Sequence, residues 1–166
     1  MSYSRVRKLA AALALVLISG AASAGTATTT FPVSATAVAA CTVSATPLNF
    51  GTFATLANNV EAINTLTVNC ALGVGYNVMM SAGTGVGATF SARKLTANGG
   101  FTLDYSIFPF LTFPTPWGDG TALSSVTGST GTGLDQIFSP VGRIFSGQPI
   151  PATGAYTDTI TVTVAF

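Results

Sequence analysis

The stretch TGAYTDTITVTVAF, residues 153–166, decides the fold that this sequence predicts. From position 156 onward the even positions carry Tyr, Asp, Ile, Val, Val and Phe, and the odd positions carry four Thr and one Ala. Such an alternation, with β-branched residues on both faces, is typical of a half-buried β-strand. We expect the even face to line the interior of a sandwich; its apolar members are Tyr156, Ile160, Val162, Val164 and Phe166. No later strand covers this one, and an open strand edge invites pairing with another chain.

The N-terminal residues predict export. Arg5, Arg7 and Lys8 form a basic region, residues 9–18 form an apolar run, and Ala22-Ser23-Ala24 ends the segment with small residues. This pattern is typical of a cleaved secretory signal peptide over residues 1–24. The apolar run is too short to span a membrane, and residues 25–166 contain no run that is long enough. We therefore expect an exported chain without a transmembrane segment.

The charge of the exported part argues against nucleic acid as a partner. Residues 25–166 contain three basic residues, Arg93, Lys94 and Arg143, against five acidic ones, which gives a net charge of −2. Phosphate binding needs a basic patch, and none is present. Charged residues make up only 7% of the whole chain, so its surface is poorly protected against self-association.

Two cysteines, Cys41 and Cys70, remain in the exported part. An oxidising compartment makes a disulfide between them the default expectation. On the chain-entropy model such a crosslink stabilises a fold by roughly 3–4 kcal/mol. The chain contains no His, and two cysteines alone do not form a zinc site, so we expect no metal or other cofactor.

The sequence offers no catalytic constellation. Without His, a serine nucleophile would need a Lys or carboxylate base, and no Gly-x-Ser-x-Gly motif occurs. The glycine-rich stretch at residues 83–87 matches no phosphate-binding pattern and is interpreted as a surface turn. We therefore predict that the protein is not an enzyme.

Residues 25–36 are interpreted as an N-terminal arm that precedes a domain over residues 37–166. The larger side chains of the arm alternate on its odd positions, Ala27, Thr29, Phe31, Val33 and Ala35. This phase slips near residues 37–38, where a first domain strand is expected to begin and to run to residue 45. Pro32 removes one backbone donor from the arm, so pairing at that residue must be one-sided.

Short strands fill the rest of the chain. Period-two alternation predicts strands that end at Cys70, at Met80 and near Ile144, and Asn98-Gly99 predicts a hairpin between residues 94–96 and 101–105. No stretch of residues 25–166 combines apolar residues at helical spacing with capping residues at its ends. Short strands at regular spacing with Gly and Pro turns indicate an antiparallel β-sandwich.

The segment at residues 108–118 is unusually aromatic and is interrupted by three prolines. Its aromatic residues are Phe108, Phe110, Phe113 and Trp117. The interpretation that we favour is that they close one end of the sandwich. The alternative is an exposed apolar loop for adhesion, since large exposed apolar patches usually mark binding sites.

Several motifs resemble the spore coat protein U domain family. They are residues 41–45 (CTVSA) with 48–51 (LNFG), 117–120 (WGDG), 142–144 (GRI), 147–148 (GQ) and 154–162 (GAYTDTITV), which together cover nearly all of the exported part. The resemblance implies a subunit of archaic, Csu-type chaperone–usher pili with an immunoglobulin-like fold that lacks its last strand. It also implies three kinds of partner: a periplasmic chaperone, an outer-membrane usher and other pilin subunits, whose N-terminal arm fills the groove.

Two function classes follow. The leading hypothesis is a structural subunit of a surface fibre, assembled by donor-strand complementation and serving cell adhesion and biofilm formation. The alternative is a secreted single-domain adhesin or carbohydrate-binding module, or a structural protein of a spore or cell coat. A free-standing binder would be a stable monomer, whereas a pilin expressed alone would aggregate or need its groove filled.

Overall fold

The structure, a computed structural model, describes residues 25–110 and 115–166. Within these two ranges it contains ten β-strands and no helix, and so no helix that could cross a membrane. The strands are β1 Cys41–Ala45, β2 Val60–Ile63, β3 Leu66–Cys70, β4 Gly75–Met80, β5 Arg93–Thr96, β6 Thr102–Phe108, β7 Thr127–Thr130, β8 Asp135–Phe138, β9 Val141–Ile144 and β10 Val162–Ala165. The predicted all-β class is confirmed. The predicted signal peptide and Phe113 lie outside the described residues.

The strands form three antiparallel sheets, in the orders β1-β3-β8, β10-β4-β7 and β2-β9-β6-β5. The first and third sheets share one ladder, because the register of β2 with β9 continues without a shift into that of β3 with β8. Asn64 N donates to Pro140 O at 3.3 Å between the two parts. Pro140 has no N–H to return this bond, so the ladder is interrupted there and separates into two sheets.

Alternation of side chains builds the core as predicted. In β3, β4 and β6 the inward positions are buried: Leu66, Val68 and Cys70; Tyr76, Val78 and Met80; Leu103, Tyr105 and Ile107. Burying one such side chain stabilises the fold by roughly 1.5–3 kcal/mol. The predicted hairpin at Asn98-Gly99 is also confirmed, since β5 pairs with β6 and Ala97 N donates to Phe101 O at 2.8 Å.

The predicted disulfide between Cys41 and Cys70 is confirmed. The two residues lie directly opposite each other in the β1–β3 ladder, so the crosslink joins the first strand of the domain to a central strand. The first strand is shorter than the expected range of 38–45, because ladder pairing begins only at Cys41. Residues 37–40 are exposed, and Ala40 O accepts a hydrogen bond from Ala71 N at 3.0 Å.

The hypothesis of an exposed aromatic loop is wrong for two of its four residues. Phe108 is buried as the last residue of β6, where it pairs with Val141. Trp117 is buried completely: its indole Nε1 donates to Val78 O at 2.8 Å, and its ring packs edge-on against Phe138 at 6.1 Å. A buried indole that satisfies its N–H is part of the core, so these two aromatics lie in the sandwich. Phe110 is exposed.

Candidate functional site: an open groove beside the last strand

The last strand, β10, is an edge strand. It pairs with β4 on one side, from Val162 opposite Met80 to Ala165 opposite Asn77, and the described residues provide no strand on its other side. The regular strand is shorter than the predicted range of 156–166, because residues 156–161 form no continuous ladder: Thr157 bridges to Thr96, and Thr161 bonds to Ser81.

The even side chains of this stretch face the core and are incompletely covered. Tyr156, Ile160, Val162 and Val164 are half-buried and pack against the core cluster, whereas the odd residues between them are exposed. The expectation that Phe166 packs inward is wrong, since this side chain is 59% exposed. It lies one residue beyond the last ladder pair, so no neighbouring strand holds it.

The same even residues direct their backbone groups toward the open edge. Thr161 O accepts a hydrogen bond from Ser81 N at 2.9 Å, which shows that the odd residues face β4. Successive residues of a strand direct their N–H and C=O groups to opposite sides, so Ile160, Val162 and Val164 direct theirs away from β4. Three core-facing residues therefore present an unpaired ladder edge.

Tyr156 fixes the beginning of the stretch. Its hydroxyl donates to Ala152 O at 2.8 Å and accepts from Ala152 N at 3.0 Å. In immunoglobulin-like sandwiches a tyrosine that bonds the backbone a few residues upstream marks the start of the sixth strand, whose free side is normally covered by the seventh. Tyr156 makes the same kind of bond, to Ala152, at the start of this stretch.

A groove of about 1100 Å³ opens along this edge. One wall is formed by residues 152–160 with Val162, and the far wall by residues 45–54. Its floor is apolar and consists of Met80, Leu95, Tyr105, Ile107, Ile144 and Ile150. All of these floor residues except Ile150 are buried, so the apolar surface left open belongs to Ile150 and to the half-buried side chains of the walls. Those wall side chains are Leu48, Phe50, Phe53, Tyr156, Ile160 and Val162.

The far wall is held mainly by its side chains. Thr46 N donates to Thr65 O at 2.9 Å at its start, and Gly147 N donates to Leu56 O at 2.8 Å just after its end. Among the described residues, the segment 47–54 makes no hydrogen bond to the rest of the domain. Leu48 and Phe50 instead pack over Gly142, where an added Cβ would lie 2.5 Å from Leu48 Cδ2 and 2.8 Å from Phe50 Cζ.

The family model of the Spore Coat Protein U domain matches residues 27–163. The chain belongs to the spore coat protein U domain family. This result confirms the family expected from the motifs. The residues that line the groove all lie within the matched range.

The spore coat U domain is similar in fold to a solved complex from Acinetobacter baumannii, the CsuC–CsuE chaperone–tip adhesion subunit pre-assembly complex of archaic chaperone-usher Csu pili. The TM-score is 0.58 at 21% identity, and the match covers 78% of this chain and 40% of that chain. The likeness confirms the immunoglobulin-like fold. No curated protein matches the chain.

The closing motif of this spore coat U domain connects the groove to the core through Asp158. The Tyr105 hydroxyl donates to Asp158 Oδ2 at 2.8 Å, and Thr84 N donates to Asp158 Oδ1 at 2.8 Å. Burial, together with the hydrogen bond to Asp158, raises the pKa of Tyr105 far above its ordinary value. The carboxylate therefore holds the groove wall, the floor and the 83–87 loop together.

The basic residues of the spore coat U domain are committed to the fold. The guanidinium of Arg93 is buried and donates to the carbonyl oxygens of Ser81, Phe90 and Trp117, and burial lowers its pKa to about 10. Lys94 pairs with Asp104 and Arg143 with Glu61, in each case directly across two strands. In the described ranges no three His, Cys, Asp or Glu side chains are grouped as metal ligands.

The other family motifs also have structural roles here. Gln148 binds both backbone groups of Asp104, with Asp104 N donating to Oε1 at 2.7 Å and Nε2 donating to Asp104 O at 2.8 Å. Asp119 Oδ1 accepts from Thr121 N at 2.9 Å in a tight turn. Both motifs therefore contribute hydrogen bonds that hold the fold.

The predicted arm residues, Ala27, Thr29, Phe31, Val33 and Ala35, are all exposed and belong to no strand. Their role stays a prediction. The far wall and Gly142 were missed by the sequence analysis. The available signal was a glycine inside the Val141–Ile144 strand, which often marks a close approach of another backbone.

Proposed function

We propose that this protein is a structural subunit of a chaperone–usher pilus and that the groove beside β10 receives a β-strand from another molecule. The observation that carries the proposal is the coincidence of an unpaired edge and an apolar groove along one stretch. Of the residues that would bond an added strand, Ile160 and Val162 also line the groove, and Val164 packs against the core beyond it. Strand addition would satisfy the backbone groups and cover the half-buried apolar side chains of the groove walls in one step.

The N-terminal arm has the pattern that such a strand needs. Its odd positions carry Phe31 and Val33 between smaller residues, and its even positions are mostly polar. In our proposal Phe31 and Val33 enter the groove and the even residues face outward. A donor from a second molecule makes the contact heterologous, so it repeats head to tail and generates a fibre.

Pro32 favours one direction of the added strand. The even arm residues share one backbone edge, and Pro32 provides no N–H on that edge. In an antiparallel arrangement the core-facing arm residues bond the core-facing residues of β10, and the edge with Pro32 faces the segment 47–54. In a parallel arrangement Pro32 would face β10 and leave a ladder bond unmade. We therefore propose the antiparallel arrangement.

The open groove also requires a partner before assembly. A free apolar groove with an unpaired edge favours aggregation, so we propose that a periplasmic chaperone covers it during transit and that an outer-membrane usher accepts the subunit. The final location is then the cell surface, in a fibre that serves adhesion and biofilm formation. The role is structural and not enzymatic. The rival carbohydrate-binding hypothesis loses two of its proposed platform aromatics, Phe108 and Trp117, which are buried.

Shortening the arm tests the proposal. We expect a chain without residues 25–34 to form a soluble complex with its chaperone but to extend no fibre, because its domain and groove are unchanged. The double variant Phe31→Ala, Val33→Ala should behave in the same way, whereas the matched variant Thr28→Ala, Thr30→Ala should assemble. The measurements are copurification from periplasm and electron microscopy of surface fibres. Normal fibres from the shortened chain would contradict the proposal.

A further inference from the structure

Two leucines are exposed at one end of the domain, where the chain joins β1. Leu72 is 81% exposed at the tip of the Ala71–Val74 turn, and Leu134 is 72% exposed after the neighbouring loop. Gly133 lies against Leu72, since a Cβ on Gly133 would be 3.9 Å from Leu72 Cβ. We call this surface, formed by Leu72 and Leu134, the leucine end. It has no role in the groove or in the core.

The leucine end lies beside the point at which residues 37–40 reach the domain. Ala71 N donates to Ala40 O at 3.0 Å, and Gly133 N donates to Cys70 O at 3.0 Å. The chain that connects the arm to the domain therefore approaches next to both leucines.

The opposite end of the groove carries the β5–β6 hairpin, residues 97–101. Thr157, near the start of the last stretch, bridges to Thr96 immediately before this hairpin, whereas Ala165 pairs with Asn77 close to the leucine end. The separation of eight positions from Thr157 to Ala165 corresponds to about 26 Å of extended strand. Phe101 is 46% exposed here, and we call residues 97–101 the hairpin end.

We propose that the leucine end of one copy docks on the hairpin end of the next copy in the fibre. The inference rests on the proposed strand exchange in its antiparallel direction, in which the arm leaves the groove of the receiving copy at the hairpin end. Only residues 36–40 then separate the arm from Cys41 of its own domain, and five extended residues span at most about 18 Å.

This short connection holds the two surfaces close to each other. Tethering raises the effective concentration of a second contact to the millimolar range, so that a small patch is sufficient for association. Leu72 and Leu134 on one side and Phe101 on the other are apolar and exposed in the single chain. Their contact would bury apolar surface that strand exchange alone leaves in water.

Disulfide trapping tests this contact. Fibres of the full chain that carries Leu72→Cys and Phe101→Cys are oxidised and then heated in detergent, which separates subunits that are held by strand exchange alone. We expect a ladder of covalent multimers. The matched control carries Leu72→Cys and Ile137→Cys; Ile137 is 68% exposed in β8, which belongs to a different sheet from the β5–β6 hairpin. We expect the ladder to be lost in this control.

The outcomes separate the two proposals. Fibres that form but give no ladder with Leu72→Cys and Phe101→Cys overturn the docking contact and leave the pilus function intact. A ladder of equal strength in the control also overturns it, because the contact would then be unspecific. If the unsubstituted chain forms no fibre with its chaperone and usher, the proposed function fails and the docking contact fails with it.

Discussion

The Tyr105 hydroxyl donates a hydrogen bond of 2.8 Å to Asp158 Oδ2, and this bond joins the floor of the groove to its wall. Tyr105 is a buried core residue of β6, whereas Asp158 belongs to the stretch that leads into β10. Removing the bond should therefore loosen the wall against which the proposed donor strand would pair. Asp158 also accepts from Thr84, so the same carboxylate orders a loop outside the groove.

Tyr105→Phe should lower the free energy of unfolding by about 1–3 kcal/mol, because it removes the donor and leaves Asp158 Oδ2 unsatisfied. Tyr76→Phe is the matched control, since the Tyr76 hydroxyl is buried and has no hydrogen-bond partner among the described residues. We expect this control to be neutral or slightly stabilising. Urea denaturation of the two variants checks the prediction, and equal losses would contradict it.

The difference between the unsubstituted chain and Tyr105→Phe should depend on pH. Because the pKa of Tyr105 is raised in the fold, its contribution is fully present below the ordinary tyrosine value of about 10 and is lost as the pH rises beyond it. The stability difference should thus be constant near neutral pH and shrink in alkaline solution. Denaturation at a series of pH values up to 11 measures it, and a constant difference over the whole series would refute the assignment.

Gly142→Ala should distort the far wall of the groove. The new methyl group would overlap Leu48 and Phe50, and overpacking of this kind typically costs about 1–3 kcal/mol. Gly75→Ala is the control, because a Cβ at Gly75 meets no atom within 4 Å. Adding Leu48→Ala to Gly142→Ala should recover part of the loss if the steric account is right. Thermal unfolding of the four proteins provides the comparison.

The two faces of β10 should respond differently to a charge. Val162→Asp places a carboxylate on the half-buried face that packs against the core, and we expect it to prevent folding because an unpaired charge there is strongly disfavoured. Thr163→Asp places the same charge on an exposed position and should be mild. Yield of folded protein from periplasm measures both, and similar damage from the two substitutions would mean that both faces are covered.

Cys41→Ser should reduce the yield of folded subunit and cost about 2–5 kcal/mol of stability, as expected for a native disulfide in an exported domain. The double variant Cys41→Ser, Cys70→Ser serves as control, because it removes the crosslink without leaving a free thiol. Similar losses in both variants would assign the effect to the crosslink. A loss confined to the single variant would assign it to the unpaired Cys70.

Local patterns in the sequence determined the strands and their faces. Alternation along β3, β4 and β6 identified the buried positions correctly, and Asn98-Gly99 identified the hairpin. Both signals arise from neighbouring residues, since side chains of a strand alternate and a two-residue turn has its own backbone requirements. The disulfide was predictable because exported cysteines pair, and only two are present.

Only the tertiary structure decided which residues complete the groove and which aromatics are buried. The far wall at residues 45–54 lies opposite β10 because Leu48 and Phe50 pack on Gly142, about ninety residues away in the chain. Trp117 can be buried because the backbone carbonyl of Val78, in β4, accepts the hydrogen bond from its indole N–H. At the leucine end, likewise, Leu72 and Gly133 lie side by side although they belong to separate loops. Contacts between distant parts of a chain depend on how the sheets pack, and no periodicity within a single segment encodes that packing.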